Sequence, residues 1–120
     1  MQEKQYLTVR EEEKYTSITL NVPIDMNRCG AVEQGIAIAL KKNNRAIALN
    51  FSNTQHIFSA GMGLIARVNI QCIAFGVKLY LTALSPKVLL ALEDVGLTSI
   101  IHCFSSEIEL KKFLETSPLL

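Results

Sequence analysis

Ser59 is the residue with the clearest chemical potential in this chain of 120 residues. It lies in the segment His56-Ile57-Phe58-Ser59-Ala60-Gly61-Met62-Gly63, where a polar stretch gives way to helical periodicity. A serine hydroxyl there can attack a substrate, cap a helix, or accept a phosphoryl group. Attack requires a base and a carboxylate to orient it. His56 is near, but no Asp or Glu occurs between Glu33 and Glu93, and Ser59 lacks the G-x-S-x-G elbow. Hydrolase chemistry is rejected on that basis. Gly61-x-Gly63-x-x-Ala66 imitates the dinucleotide fingerprint, yet about ten residues separate Phe51 from Gly61, and no acidic residue follows at the required distance.

Two accounts of Ser59 remain open from the residues. In the first, Ser59 is an N-cap and the glycines serve packing alone. In the second, the pair forms a switch. Gly61 and Gly63 weaken the helix by roughly 1 kcal/mol each relative to alanine. They also leave its first turn bare enough for another backbone to approach. A phosphate on Ser59 would sit at the positive end of the helix and place a charge of about −2 in the middle of any docking face.

The totals narrow the classes further. Twelve Lys and Arg against eleven Asp and Glu give a net charge of +1, so nothing global attracts nucleic acid. All eleven acids lie in the two flanks, while Lys41, Lys42, Arg45, Arg67, Lys78 and Lys87 fall in the acid-free middle. That middle supplies no carboxylate pair or carboxylate metal ligand, and its basic residues form either a mildly basic surface or ordinary solvated charges. Cys29, Cys72 and Cys103 are scattered and include no CxxC pair, so they read as buried free thiols rather than a disulfide framework or zinc site. No cofactor is implied. No apolar run approaches the roughly 20 residues of a membrane span. The opening MQEKQYL lacks the layout of a signal peptide, so a cytoplasmic location is expected.

The elements that must position Ser59 follow from periodicity. Tyr6–Val9 reads as a short strand, Glu11–Glu13 as a solvated turn, and the alternation Ile18, Leu20, Val22, Ile24 as a half-buried strand whose end Pro23 places at a sheet edge. Ala31–Lys42 has helical spacing and is broken by Asn43-Asn44. Ala46–Phe51 is a continuous apolar run, as in a central strand covered on both faces. A helix from about Gly61 to Ala74 follows, with Arg67 and Gln71 as its wet stripe, Ile65 in the core, and Gly76 just past its end. Lys78–Thr82 is a strand, and Ser85-Pro86 heads a helix running to Gly96. Ile100–Phe104 is a last strand, and Ser106 with Glu109 forms a capping box for a terminal helix. Ser117-Pro-Leu-Leu120 reads as a frayed end. The order β-β-α-β-α-β-α-β-α predicts one α/β domain over residues 1–120, with a mixed, mostly parallel sheet and helices packed against it.

These residues resemble the STAS family, and most of all its small bacterial anti-sigma factor antagonists. The family signature is a central strand ending in Asp or Asn, a loop, then Asp-Ser-Ser/Thr-Gly-Leu-Gly opening a helix. Here the strand carries Asn50 and the signature reads Phe58-Ser59-Ala60-Gly61-Met62-Gly63. Gly76, Lys78–Thr82, Ser85-Pro86 and Gly96-Leu97 follow in the family's order, and Ile24-Asp25 stands where the family has Leu-Asp. The resemblance implies a regulatory protein that is not an enzyme. Its partner would be an anti-sigma factor serine kinase, docked on Asp25, Phe58, Ser59, Ala60, Gly61, Met62 and Gly63. That kinase would use ATP to phosphorylate Ser59 and so end binding, and a phosphatase would reverse this. Two departures bear on the switch: Phe58 replaces the signature aspartate and Ala60 the second serine. The alternatives are a non-phosphorylated scaffold or transport-complex subunit, and a nucleotide-binding module. Asp25 has a second reading, as the cap of the first helix, and Arg67 is either wet or paired to a partner's carboxylate.

Overall fold

The computed structural model describes residues 6–42 and 46–116. Five strands form one sheet in the order β1-β2-β3-β4-β5. They are β1 (Leu7–Glu11), β2 (Thr16–Leu20), β3 (Ala46–Asn50), β4 (Lys78–Thr82) and β5 (His102–Phe104). The first pair is antiparallel and every later pair parallel. The helices are α1 (Met26–Leu40), α2 (Ser59–Ala74), α3 (Pro86–Asp94) and α4 (Glu107–Thr116), with a 3-10 turn at Leu97–Ser99.

Strand alternation divides the side chains between two layers. The row Ile18, Leu49, Leu81, Cys103 faces α1, α2 and α3. The row Ser17, Ala48, Tyr80, His102 faces the opposite side. There Leu110 and Leu114 of α4 pack with Tyr15, Ala46, Ala48 and Tyr80. The apolar run of β3 is covered on both faces, as its composition predicts.

Several boundaries differ from expectation, each for a physical reason. The alternation Ile18–Ile24 yields a strand only over Thr16–Leu20, because β3 pairs with β2 no further than Asn50 opposite Thr19. Val22 and Ile24 still turn into the core from an extended connection. β2 is interior rather than an edge, and it is buried along most of its length. Helix α1 starts at Met26, not Ala31, because Asp25 caps it: the Arg28 amide donates to Asp25 Oδ1 at 3.0 Å. Glu11 belongs to β1, not to the turn. Ile100 and Ile101 lie outside β5. Cys72 is buried, but Cys29 and Cys103 are only half-buried, and all three thiols are free. Ser85 caps α3 as read, accepting from the Val88 amide, and Gly76 takes a φ of +70° after α2. The break at Asn43-Asn44 and the end at Ser117-Pro-Leu-Leu120 lie outside the described residues.

One polar cluster ties α4 to the sheet. Glu107, the first residue of α4, accepts from Ser17 Oγ at 2.5 Å, Asn50 Nδ2 at 2.6 Å and Tyr15 Oη at 2.7 Å. It also pairs with Arg10 at 2.5 Å. Its side chain is 11% exposed. Burial pushes its carboxyl up, but the donors from Ser17, Asn50 and Tyr15 and the charge of Arg10 outweigh this and hold it below the usual carboxylate value. A carboxyl lowered in the folded state stabilises fully above the unfolded value and loses that contribution as pH falls through the folded one. Glu107→Gln should therefore lower the unfolding free energy at pH 7 by about 2 kcal/mol in urea titrations. The deficit should shrink as pH drops below about 4.3, the unfolded value for Glu. A deficit that is constant down to strongly acid pH would contradict the assignment.

Candidate functional site

The start of α2 is fixed by tertiary packing rather than by a capping side chain. Gly61 is buried on the inner stripe of the helix with Leu64, Ile65, Val68 and Cys72. A Cβ there would lie 3.0 Å from Ile57 Cγ1 and 3.4 Å from Ile24 Cβ. Hydrogen at this position lets the first turn settle against the β2–α1 connection and the segment before the helix. That contact sets the helix one residue earlier than the serine suggests. Phe58, extended at φ −108° and ψ 171°, is the N-cap residue, and its carbonyl takes the first helical bond from the Met62 amide at 3.0 Å. Ser59 is thus the first helical residue and not the cap. No side chain caps the helix.

The chemistry of this end follows. Helix termini leave first-turn N–H groups without intrahelical partners, and phenylalanine offers no acceptor for them. Ser59 is exposed, and Phe58 beside it is 51% exposed. Ala60, Met62 and Gly63 are half-buried, and Met62 packs on the core. The result is an exposed hydroxyl and aromatic ring at the positive end of a helix, over a turn of small residues.

Asp25 is spent on α1, where it accepts from the Arg28 amide and pairs with the Arg28 guanidinium at 3.3 Å. Its neighbour Ile24 makes the approach to Gly61. Of the residues read from the sequence, Phe58 to Gly63 form one continuous turn, and Asp25 adjoins it through Ile24.

Sequence reasoning missed the contacts that join α1 to this turn. Cys29 Sγ donates to the Ala60 carbonyl at 3.7 Å. Arg67, two turns into α2, donates from Nε to both Glu33 oxygens at 3.1 Å and from Nη2 to Oε1 at 2.9 Å. Nη2 also lies 3.2 Å from Cys29 Sγ. Arg67 is therefore paired within the chain through Nε and Nη2, while half of its side chain stays exposed. A Cβ on Gly63 would sit 3.2 Å from Arg67 Nη1, so the guanidinium lies over the glycine. The four-residue spacing of Gly63 and Arg67 was visible, but the carboxylate that orients the guanidinium comes from a helix 34 positions away. Among the described residues, no three His, Cys, Asp or Glu side chains gather as metal ligands, and no helix is long and apolar enough to cross a membrane.

The missing cap yields a stability test. An aspartate at an N-cap accepts from first-turn amides, and alanine cannot. Phe58→Asp should be more stable than Phe58→Ala by about 1 kcal/mol in urea unfolding. Equal midpoints would mean that the first-turn amides are already satisfied.

Known proteins place this geometry in a family. The structure superposes on a Thermotoga maritima protein assigned as an anti-sigma factor antagonist with a TM-score of 0.85. The two share 16% identity over 94% of this chain and 97% of that one. It matches the anti-sigma factor antagonist SpoIIAA in its unphosphorylated form at a TM-score of 0.75, with 18% identity over 92% and 98%. It also matches part of the murine anion transporter Slc26a9 at a TM-score of 0.79, with 15% identity over 90% of this chain and 19% of the transporter. At such identities the likeness is one of fold. No curated protein sequence is significantly similar. The STAS domain model, however, matches residues 6–110. The chain therefore belongs to the STAS domain family.

Proposed function

We propose that this protein is an anti-sigma factor antagonist: it binds a kinase-type anti-sigma factor and is released from it by phosphorylation of Ser59. One observation carries the reading. The Ser59 hydroxyl stands exposed on the first turn of an uncapped helix, beside the half-exposed ring of Phe58 and over a glycine-lined surface pinned to the core at Gly61. Such a turn accepts close approach by a partner backbone while the serine is bare. The kinase transfers the γ-phosphoryl group of ATP to Ser59 Oγ; the new O–P bond forms as the bond to ADP breaks, and the hydroxyl proton passes to a base on the kinase. The product carries a charge of about −2 at the centre of the docking face. A phosphatase would restore the bare serine. The contact surface comprises Phe58, Ser59, Ala60, Met62 and Gly63, with Asp25 at its margin; Gly61, read from the sequence as a contact, is buried and supports the turn from beneath. The family's solved antagonists, SpoIIAA among them, support this reading.

A second reading, an unphosphorylated scaffold or transport-complex subunit, is favoured by Phe58. An apolar ring there supplies none of the charge or hydrogen bonding of the signature aspartate. The same fold is also part of an anion transporter.

Two measurements separate them. Intact-mass analysis of protein from its native host, with peptide mapping over residues 46–67, should show one phosphate on Ser59 in a fraction of molecules. Unmodified Ser59 under every growth condition would favour the scaffold. Against the host's kinase-type anti-sigma factor, Ser59→Ala should bind within a few-fold of the native chain, and Ser59→Asp should bind roughly 100-fold more weakly. If both variants bind like the native chain, there is no switch at Ser59.

A further inference from the structure

We infer that Arg67 is the intramolecular receptor for a phosphate on Ser59, held ready for it by Glu33 and admitted to it by Gly63. The inference rests on the phosphorylation of Ser59 argued above and adds what the phosphate meets.

Ser59, Gly63 and Arg67 follow one another at four-residue intervals and therefore stack along a single face of α2. Arginine side chains on a helix lean toward its N-terminus. Here the lean carries the guanidinium a full turn back, until Nη1 is 3.2 Å from where a Cβ on Gly63 would be. Side chains four apart on a helix have Cβ atoms about 5–6 Å from each other. Nη1 therefore stands within about one helical turn of Ser59, although Arg67 is eight residues away. A phosphoryl group lengthens the serine side chain by one P–O arm, which extends its reach toward that nitrogen.

The hydrogen bonds of Arg67 point the same way. Nε and Nη2 are committed to Glu33, and Nη2 also to Cys29. Among the described residues Nη1 makes no hydrogen bond. The guanidinium is thus held by a carboxylate on its Nε–Nη2 edge and leaves Nη1 over Gly63, on the helix face that also carries Ser59. A planar fork held from behind loses little freedom when it takes a phosphate oxygen. Phosphate–guanidinium pairs are among the stronger charge-assisted hydrogen bonds.

The consequence concerns the docking surface. A phosphate drawn toward Nη1 lies along the helix over Gly63, not out into solvent. It fills the lane that the missing side chain leaves open, so it removes the partner's approach by volume as well as by charge. Glycine at 63 has a definite use on this account: it admits the Arg67 guanidinium to the face of α2 that carries Ser59. A Cβ there would stand 3.2 Å from Nη1 and oblige the guanidinium to give way.

The test installs phosphoserine at position 59 during translation, so no kinase is involved. The second ionisation of the phosphate is followed by phosphorus NMR as pH is varied. Pairing with Arg67 favours the dianion, so the native sequence should titrate lower than Arg67→Gln by about half a unit. Gly63→Ala, which retains the arginine and favours the helix, should shift the titration toward that of Arg67→Gln. Coincident titrations for the native sequence and Arg67→Gln would overturn the inference. So would a Gly63→Ala protein that titrates like the native one. This experiment judges the Arg67 contact alone, whereas the mass spectrum of the native protein judges the switch.

Discussion

The structure depends on β3 being covered on both faces by unequal layers. Ile47 and Leu49 fill the layer of α1, α2 and α3, while Ala46 and Ala48 are small enough for α4 to lie close on the other side. The hydrophobic contribution of burying that strand cannot be drawn from one layer alone. The end of β3 then joins both. Asn50 donates to Glu107 at the head of α4, and its own side-chain oxygen accepts from the Ser52 amide as the chain departs toward the helix that bears Ser59. The same strand that anchors the last helix launches the segment leading to the site.

The site sits where the fold has given up local stability. A phenylalanine in a cap position, two glycines in one turn and an exposed aromatic ring are each poor choices for a helix start. The turn holds because Gly61 makes a tertiary contact with Ile24 and Ile57 that a larger residue would crowd. Local rules broken at one place, and compensated by packing from elsewhere, accord with the docking role proposed for this turn. The neighbouring starts of α1 and α3 obey the capping rules with Asp25 and Ser85.

Most of the fold was legible because most of its elements carry strong local signals. The continuous run at Ala46–Phe51, the Ser85-Pro86 start and the Ser106–Glu109 pattern each translate directly into structure; the amide of Glu109 donates to Ser106 Oγ at 3.2 Å. The return bond of that capping box reaches Ser105 rather than Ser106, a shift of one residue. Errors arose where pairing or packing overrode local pattern. The alternation at Val22 and Ile24 continues past the point where any strand remains to pair with it. The cap at Ser59 was displaced to Phe58 by a contact between residues 37 positions apart, Ile24 and Gly61. The order of residues in the candidate turn could be read from the sequence, but its electrostatics could not. The Glu33–Arg67 pair joins two helices that β3 separates in the sequence, and nothing in either segment alone names its partner.

The strand order has a consequence for how the chain assembles. Each strand pairs with its neighbour in sequence, so the sheet can grow from β1 to β5 in the order in which a ribosome would release it, with little loop entropy to overcome at each step. The acceptor for Tyr15, Ser17 and Asn50 is the exception, since Glu107 lies 92, 90 and 57 positions further on. Until α4 arrives, those donors face water on an uncovered side of a growing sheet. Docking of α4 then buries the surface and satisfies all three at once, so its arrival acts as the closing step of the domain's folding.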